Sequence, residues 1–245
     1  MKFKIASDLH VEFGGDYRLD RDSTYLIAGD VGPIGHALKY LNNLPDDIRV
    51  YYIAGNHEFY GYDISLDYAQ LREGLRDKEN VTFLQDEYVK VDDVYIYGTT
   101  LWTDLESEQF NPEQLMSMNV MNDFRTIKSG KNMFKPSDMR QEHYASRKLL
   151  QEFLETHEDD KVIVMSHQLP SFRSVHPMYG GSNSPMNYYF ASHLDKLIER
   201  YQPNYWVHGH THKSVDYHIG ETHVMCYPIG YPNENQRLIE GSLEI

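Results

Sequence analysis

Apolar runs in this chain repeatedly end in Asp, Asn or His. The five places are Ile5-Ala6-Ser7-Asp8-Leu9-His10, Ile27-Ala28-Gly29-Asp30, Ile53-Ala54-Gly55-Asn56-His57-Glu58, Val164-Met165-Ser166-His167 and Trp206-Val207-His208-Gly209-His210-Thr211-His212. Each run has the length and composition of a buried β-strand. Helical spacing around 33–44, 64–75, 137–155 and 187–201 separates the strands, and strand–helix alternation predicts a parallel sheet. The polar clusters then all fall at the carboxyl ends of strands, the edge where open α/β sheets gather ligands. Further strands are expected at 94–98 and, as short alternating runs, after 205. Two facing mixed sheets flanked by helices would satisfy this order.

The donor types select a metal class. Asp8, His10, Asp30, Asn56, His167, His210 and His212 supply nitrogen and oxygen with no thiolate, and the single cysteine, Cys226, excludes a cysteine-based cluster. Such a set suits Mn²⁺, Fe²⁺, Zn²⁺ or Ni²⁺ and disfavours Ca²⁺, which prefers oxygen alone. Seven donors exceed one tetrahedral ion but match two ions sharing a bridging carboxylate. Glycine precedes Asp30, Asn56 and His210, allowing close backbone approach and a sharp turn.

Composition narrows the partners. Against 37 acidic residues stand 23 basic ones, a formal charge of −14. No basic stripe of the kind that binds duplex nucleic acid is visible. Bound cations would let so acidic a chain accept an anionic substrate. The start, Met1-Lys2-Phe3-Lys4-Ile5, carries no signal-peptide pattern, and no apolar stretch is long enough to span a membrane. With one cysteine, a reducing, cytoplasmic compartment is expected.

The ordered set Asp-x-His, Gly-Asp, Gly-Asn-His-Glu, isolated His and Gly-His-x-His, spread over residues 8 to 212, resembles the calcineurin-like metallophosphoesterase superfamily. The strings Gly55-Asn56-His57-Glu58-Phe59-Tyr60-Gly61 and Met121-Asn122-Asp123-Phe124-Arg125 are similar to those of a bacterial and phage subgroup. The resemblance implies a four-layer α/β/β/α sandwich forming one domain over 1–245, with an excursion or cap at about 103–140. It also implies that Asp8, His10 and His212 hold one metal, that Asp30 bridges, and that Asn56, His167 and His210 complete the second. His57 would face the leaving group, with Glu58 orienting it. The implied activity is phosphoester hydrolysis, with hydroxide bridging two divalent ions, Mn²⁺ foremost, attacking phosphorus in line. The expected substrates are nucleotide-type or other small phosphodiesters. The alternatives are a nuclease acting on single-stranded ends and a catalytically silent scaffold. Gln168 replaces a histidine common in relatives, and Ile229 replaces an arginine.

Other side chains carry weaker expectations. Arg125 offers a guanidinium fork suited to phosphate, and Tyr60 and His176 are further substrate-binding candidates. His36, His143, His157, His218 and His223 lack a motif and are expected on the surface or in packing; His208 is expected to be structural. Asp104 and Asp123 either support the site or cap helices, capping being the simpler expectation, and Met116, Met118 and Met121 are expected to pack the excursion on the sheet.

Overall fold

The computed structural model describes residues 1–15, 17–106, 121–180, 184–234 and 241–245. The amino-terminal half supplies β1 (Lys2–Ala6), β2 (Thr24–Ala28), α1 (Ile34–Asn42), β3 (Arg49–Ile53), α2 (Ile64–Leu75) and β4 (Val81–Phe83). Strands β2 and β3 bury nearly every residue, as strands covered on both faces must. They pair in parallel with β1 and β4, and β13 (Gly241–Glu244) closes the other edge antiparallel to β1.

A second sheet is built from β5 (Glu87–Val91), β6 (Val94–Thr99), β9 (Lys161–Ser166), β10 (Tyr205–Val207), β11 (Val215–Ile219) and β12 (Thr222–Cys226). Its strands lie in the order β11-β12-β10-β9-β6-β5. The central four are parallel, while the outer hairpin partners β5 and β11 run antiparallel. Between β6 and β9 lie the short helix α3 (Asp123–Thr126), the hairpin β7 (Lys128–Ser129) and β8 (Asn132–Met133), and the long α4 (Pro136–Thr156); α5 (Asp195–Tyr201) precedes β10.

Side-chain alternation along the strands creates the layers. Phe3, Ile5, Leu26, Tyr51 and Ile53 of the first sheet meet Ile96, Ile163, Met165, Val207 and Met225 of the second in one buried cluster. Tyr25, Ile27, Val50 and Tyr52 point the other way, against Ala37 and Leu41 of α1 and Leu71 of α2. On the far side Val162, Val164 and Trp206 pack on Leu150 and Phe153 of α4 and Ile198 of α5. The α/β/β/α order expected from the sequence is present, and it aligns the carboxyl ends of β1, β2, β3, β9 and β10 along one seam.

Two local expectations fail. The helix over 187–201 is broken into a 3₁₀ segment, Pro185–Tyr189, and α5. The intervening chain pairs with the loop after β9 instead: Ser192 N–H donates to the Leu169 carbonyl and Leu194 N–H to that of Pro170. Asp123 does not act as a helix cap; it opens α3 after Asn122 and is buried. Of the expected excursion, 107–120, including Met116 and Met118, lies outside the described residues. Phe124, Ile127 and Phe134 pack into the same core as α1 and α2, with Met121 against it.

Asp67 in α2 is a buried carboxyl whose Oδ2 has no partner among the described residues. Burial, helped by the nearby Asp63 carboxylate, pushes it up to about 7. The folded state therefore holds its proton more tightly than the unfolded chain, and stability falls as pH rises from about 4 through 7. After allowance for solvent screening, Asp67→Asn is expected to raise unfolding free energy by on the order of 2 kcal/mol at pH 8, an advantage that disappears near pH 4. Urea melts at both pH values check this; a gain independent of pH would contradict it.

Candidate metal centre

Asp8, His10, Asp30, His210 and His212 all adopt left-handed backbone conformations, with φ of 54°, 46°, 53°, 68° and 49°. For non-glycine residues this costs about 1–2 kcal/mol each, so the surrounding structure must hold them. Inter-loop hydrogen bonds do so. Asp8 N–H donates to Gly29 O at 3.0 Å, His10 N–H to Asp30 O at 3.1 Å and Gly230 N–H to Asp8 O at 3.0 Å. His210 N–H is shared between the two Asp8 carboxylate oxygens at 3.0 and 3.1 Å.

Glu58 ties the loops after β2 and β3 together. Its carboxylate accepts from Val31 N–H and Gly55 N–H, both at 2.8 Å, from Asp30 N–H at 3.2 Å and from Tyr52 Oη at 2.8 Å. Burial, then the charge of Asp30, pushes Glu58 up to about 7. Gly55 is required at the same crossing, because a Cβ there would lie 2.2 Å from Asp30 Oδ1.

The expected ligands converge in two groups, beside a third made of His10, Glu12 and His57. Asp8, His10, Asp30 and His212 bring one donor atom each within 4.8 Å of one another, and so do Asp30, His167 and His210. Asp30 belongs to both: Oδ1 stands 3.4 Å from His167 Nε2 and Oδ2 stands 3.8 Å from His10 Nε2. Asn56 Oδ1 lies 3.1 Å from His167 Nε2. Thus every residue of the expected ligand set is brought to the seam.

The imidazoles are oriented as metal ligands need. His10 Nδ1 faces Glu12 at 3.2 Å, His167 Nδ1 donates to the Ala28 carbonyl at 2.9 Å, and His212 Nδ1 faces Glu234 at 2.6 Å. An acceptor on Nδ1 leaves Nε2 for the metal. His10 Nε2 and His212 Nε2 stand 3.0 Å apart, and the buried His210 Nε2 has no hydrogen-bond partner among the described residues. Buried nitrogens aimed at one another and at carboxylates fit cations held between them.

Electrostatics agree with that donor set. Burial opposes ionisation of Asp8, but the His212 hydrogen bond and the charges of His212 and His167 hold it down to about 2. Burial opposes ionisation of Asp30 too, yet it lies well below the usual carboxylate range, chiefly through the His167 and His57 charges. Conversely, burial works against charge on His167, yet the Asp30 and Asp8 carboxylates raise it to about 9. Without metal, protons on imidazoles supply positive charge that the two buried carboxylates demand.

The proton-donor candidate is placed differently from expectation. The His57 backbone N–H donates to Asp30 Oδ1 at 2.8 Å, but the carboxylate on its ring is Glu12, 2.9 Å from Nδ1. Glu58 has its oxygens committed to backbone amides and Tyr52, so it braces loops rather than orienting His57. Tyr60 lies against His57, the rings tilted by 33° with centroids 4.3 Å apart, and accepts from Asn56 Nδ2 at 2.9 Å. Tyr231 Oη stands 3.2 Å from His57 Nε2.

Above these groups is a cavity of about 330 Å³, whose walls include Tyr60, Asp123, Asn187, Phe190, Thr211 and Tyr231. Burial pushes Asp123 up to about 6. Arg125 is exposed, outside the cavity lining, and His176 accepts from Met178 N–H in its own loop; neither is brought to the centre. His208 is structural, as expected: Nδ1 donates to Gly209 O at 2.9 Å and Nε2 meets Ser174 Oγ at 2.8 Å. Burial lowers it to about 4, keeping it neutral. Glu12 was recoverable from the string Asp8-x-His10-x-Glu12, whereas Tyr231 and Glu234 belong to no metal-ligand spacing.

Comparison with known proteins agrees with this geometry. An uncharacterised protein, L509, of Acanthamoeba polyphaga mimivirus is 24% identical over 264 residues, covering 94% of this chain and 91% of the viral protein. The crystal structure of phosphopantetheinyl hydrolase (PptH) from Mycobacterium tuberculosis superposes with a TM-score of 0.75 at 17% identity, covering 95% of this chain and 90% of that one. TT1561 of Thermus thermophilus gives a TM-score of 0.56 at 11% identity over 93% of this chain and 88% of its own. The family model for calcineurin-like phosphoesterases matches residues 1–214. Covering most of the chain and all seven candidate donors, that match means that the chain belongs to the calcineurin-like phosphoesterase family, the metal-dependent phosphoester hydrolases.

Proposed function

We propose that this chain is a dinuclear metal-dependent phosphodiesterase acting on small, nucleotide-type or similar phosphoesters, with Mn²⁺ as its preferred ion. The carrying observation is the pair of donor groups that share Asp30, one carboxylate oxygen toward each. On this reading Asp8, His10 and His212 would hold one ion, Asn56, His167 and His210 would hold the other, and Asp30 would be shared between them. Bound there, two divalent cations would lower the pKa of water and neutralise phosphoryl oxygens. Both sheets contribute ligands through their loops, so the reading treats 1–245 as one catalytic unit.

His57, at the cavity wall, would donate a proton to the departing oxygen. Burial works against charge on its ring, but the Asp30 and Glu12 carboxylates raise its pKa. The cavity volume and the −14 charge favour a small ester over duplex nucleic acid. Among the described residues no helix is long and apolar enough to cross a membrane, and the single buried thiol of Cys226 suits a reducing cytoplasm.

Protein stripped with chelator is expected to be inactive, and Mn²⁺ to restore hydrolysis of a chromogenic phosphodiester with little action on the matching monoester. The solved phosphopantetheinyl hydrolase shares the fold, so phosphopantetheine esters belong in the same panel. Restored activity on the monoester alone would overturn the diester preference. Silence on every ester with two metals bound would favour a scaffold.

Asp30→Asn is expected to lose both ions in calorimetric titration and to lower kcat/KM by roughly 10³-fold. Unchanged metal stoichiometry and turnover would contradict the bridging role.

A further inference from the structure

Glu12 sits on the short 3₁₀ helix Val11–Phe13 that follows His10. One oxygen, Oε1, accepts from two rings: His57 Nδ1 at 2.9 Å and His10 Nδ1 at 3.2 Å. The other, Oε2, is buried without a hydrogen-bond partner among the described residues. The backbone around it is pinned by His10 N–H to Asp30 O at 3.1 Å and Val11 N–H to Val31 O at 2.9 Å. The neighbouring loop also leaves room for it. A Cβ on Gly32, whose φ is +145°, would come within 2.6 Å of Oε2, so a side chain there would displace the carboxylate.

The two nitrogens of His57 thus have different surroundings. Nδ1–H is held by the half-buried Glu12 carboxylate, while Nε2 meets the Tyr231 hydroxyl, 3.2 Å away, where both residues line the cavity. A carboxylate on Nδ1 fixes the proton there, aims Nε2 and stabilises the protonated ring. We propose that Glu12 is the positioning residue of His57, holding it as a proton donor and tying its orientation to His10. This rests on the reading of His57 as the acid given above.

In the hydrolytic step, the bond from the attacking oxygen to phosphorus forms, and the bond from phosphorus to the leaving oxygen breaks with its electron pair on that oxygen. The leaving oxygen takes the Nε2 proton, Nδ1–H stays on Glu12, and His57 regains an Nε2 proton from solvent. Glu12 remains ionised throughout.

The test uses metal-loaded wild type, Glu12→Gln, Glu12→Asp, His57→Asn and the Glu12→Gln/His57→Asn double variant. Each acts on two esters of the same phosphoryl group, with nitrophenolate or an alkoxide leaving. A proton donor matters most for the poor leaving group, so Glu12→Gln and His57→Asn are expected to lower alkyl-ester kcat about 10²-fold more than nitrophenyl-ester kcat. Glu12→Asp should recover part of that ratio. The double variant should be no worse than His57→Asn alone, because the residues act as one unit. All variants are assayed at saturating metal, where two ions per chain are expected to be retained although Glu12 also holds the His10 ring, and in Zn²⁺-loaded protein the hydrogen-bonded Nδ1–H resonance of His57 should move upfield in Glu12→Gln, whose amide oxygen is a weaker acceptor.

Leaving-group dependence in His57→Asn but not in Glu12→Gln overturns the positioning role and leaves the acid reading intact. No dependence in His57→Asn overturns the acid reading itself. Equal loss on both esters with metal lost in Glu12→Gln would show that Glu12 serves only His10, which also overturns the proposal.

Discussion

Two carboxylates, Asp8 and Asp30, are buried together at the seam between the sheets, and much of the centre follows from that arrangement. An isolated ionised carboxylate in a protein interior is costly, and two side by side are worse. Both nevertheless lie below the usual carboxylate range because imidazoles surround them. The fold thus creates a negative focus that needs positive charge, as protons on His167 and His212 or as metal. Replacing one of the neighbouring histidines by a neutral apolar residue would leave an uncompensated buried charge, the expensive side of any buried ion pair.

The rest of the architecture holds that focus in place. The candidate ligands do not sit on strands; they occupy the residues just beyond, where five left-handed backbone conformations turn side chains back over the sheet edge. Such conformations persist because neighbouring loops hydrogen-bond across one another and because Glu58 gathers the amides after β2 and β3. Acceptors on the Nδ1 atoms of His10, His167 and His212 then fix which nitrogen looks inward. Rigid strands, pinned loops and anchored rings form a hierarchy of positioning, and catalysis by preorganised charge depends on it.

Much of this was legible in the residues. Fully apolar runs such as Tyr25–Ala28 and Val162–Met165 were readable as interior strands, and their polar ends marked the candidate ligands. What failed was set by long-range contacts. Nothing local in 187–201 signals that Ser192 and Leu194 pair with the loop at 169–170. Glu58 follows His57 directly, so a partnership looked natural, yet its backbone is in a 3₁₀ turn that sends the carboxylate toward Tyr52 and the amides. Glu12 takes that place from 45 residues away in sequence. Tyr231 and Glu234 reach the centre only through the carboxyl-terminal chain that pairs Ile229 and Gly230 with Ser7 and Asp8.

If two cations share Asp30, anomalous diffraction from crystals grown with Mn²⁺ will show it. Two separate peaks are expected, one against His10 and His212, the other against His167 and His210, each touching one oxygen of Asp30. A single peak, or two peaks without Asp30 between them, would contradict that sharing.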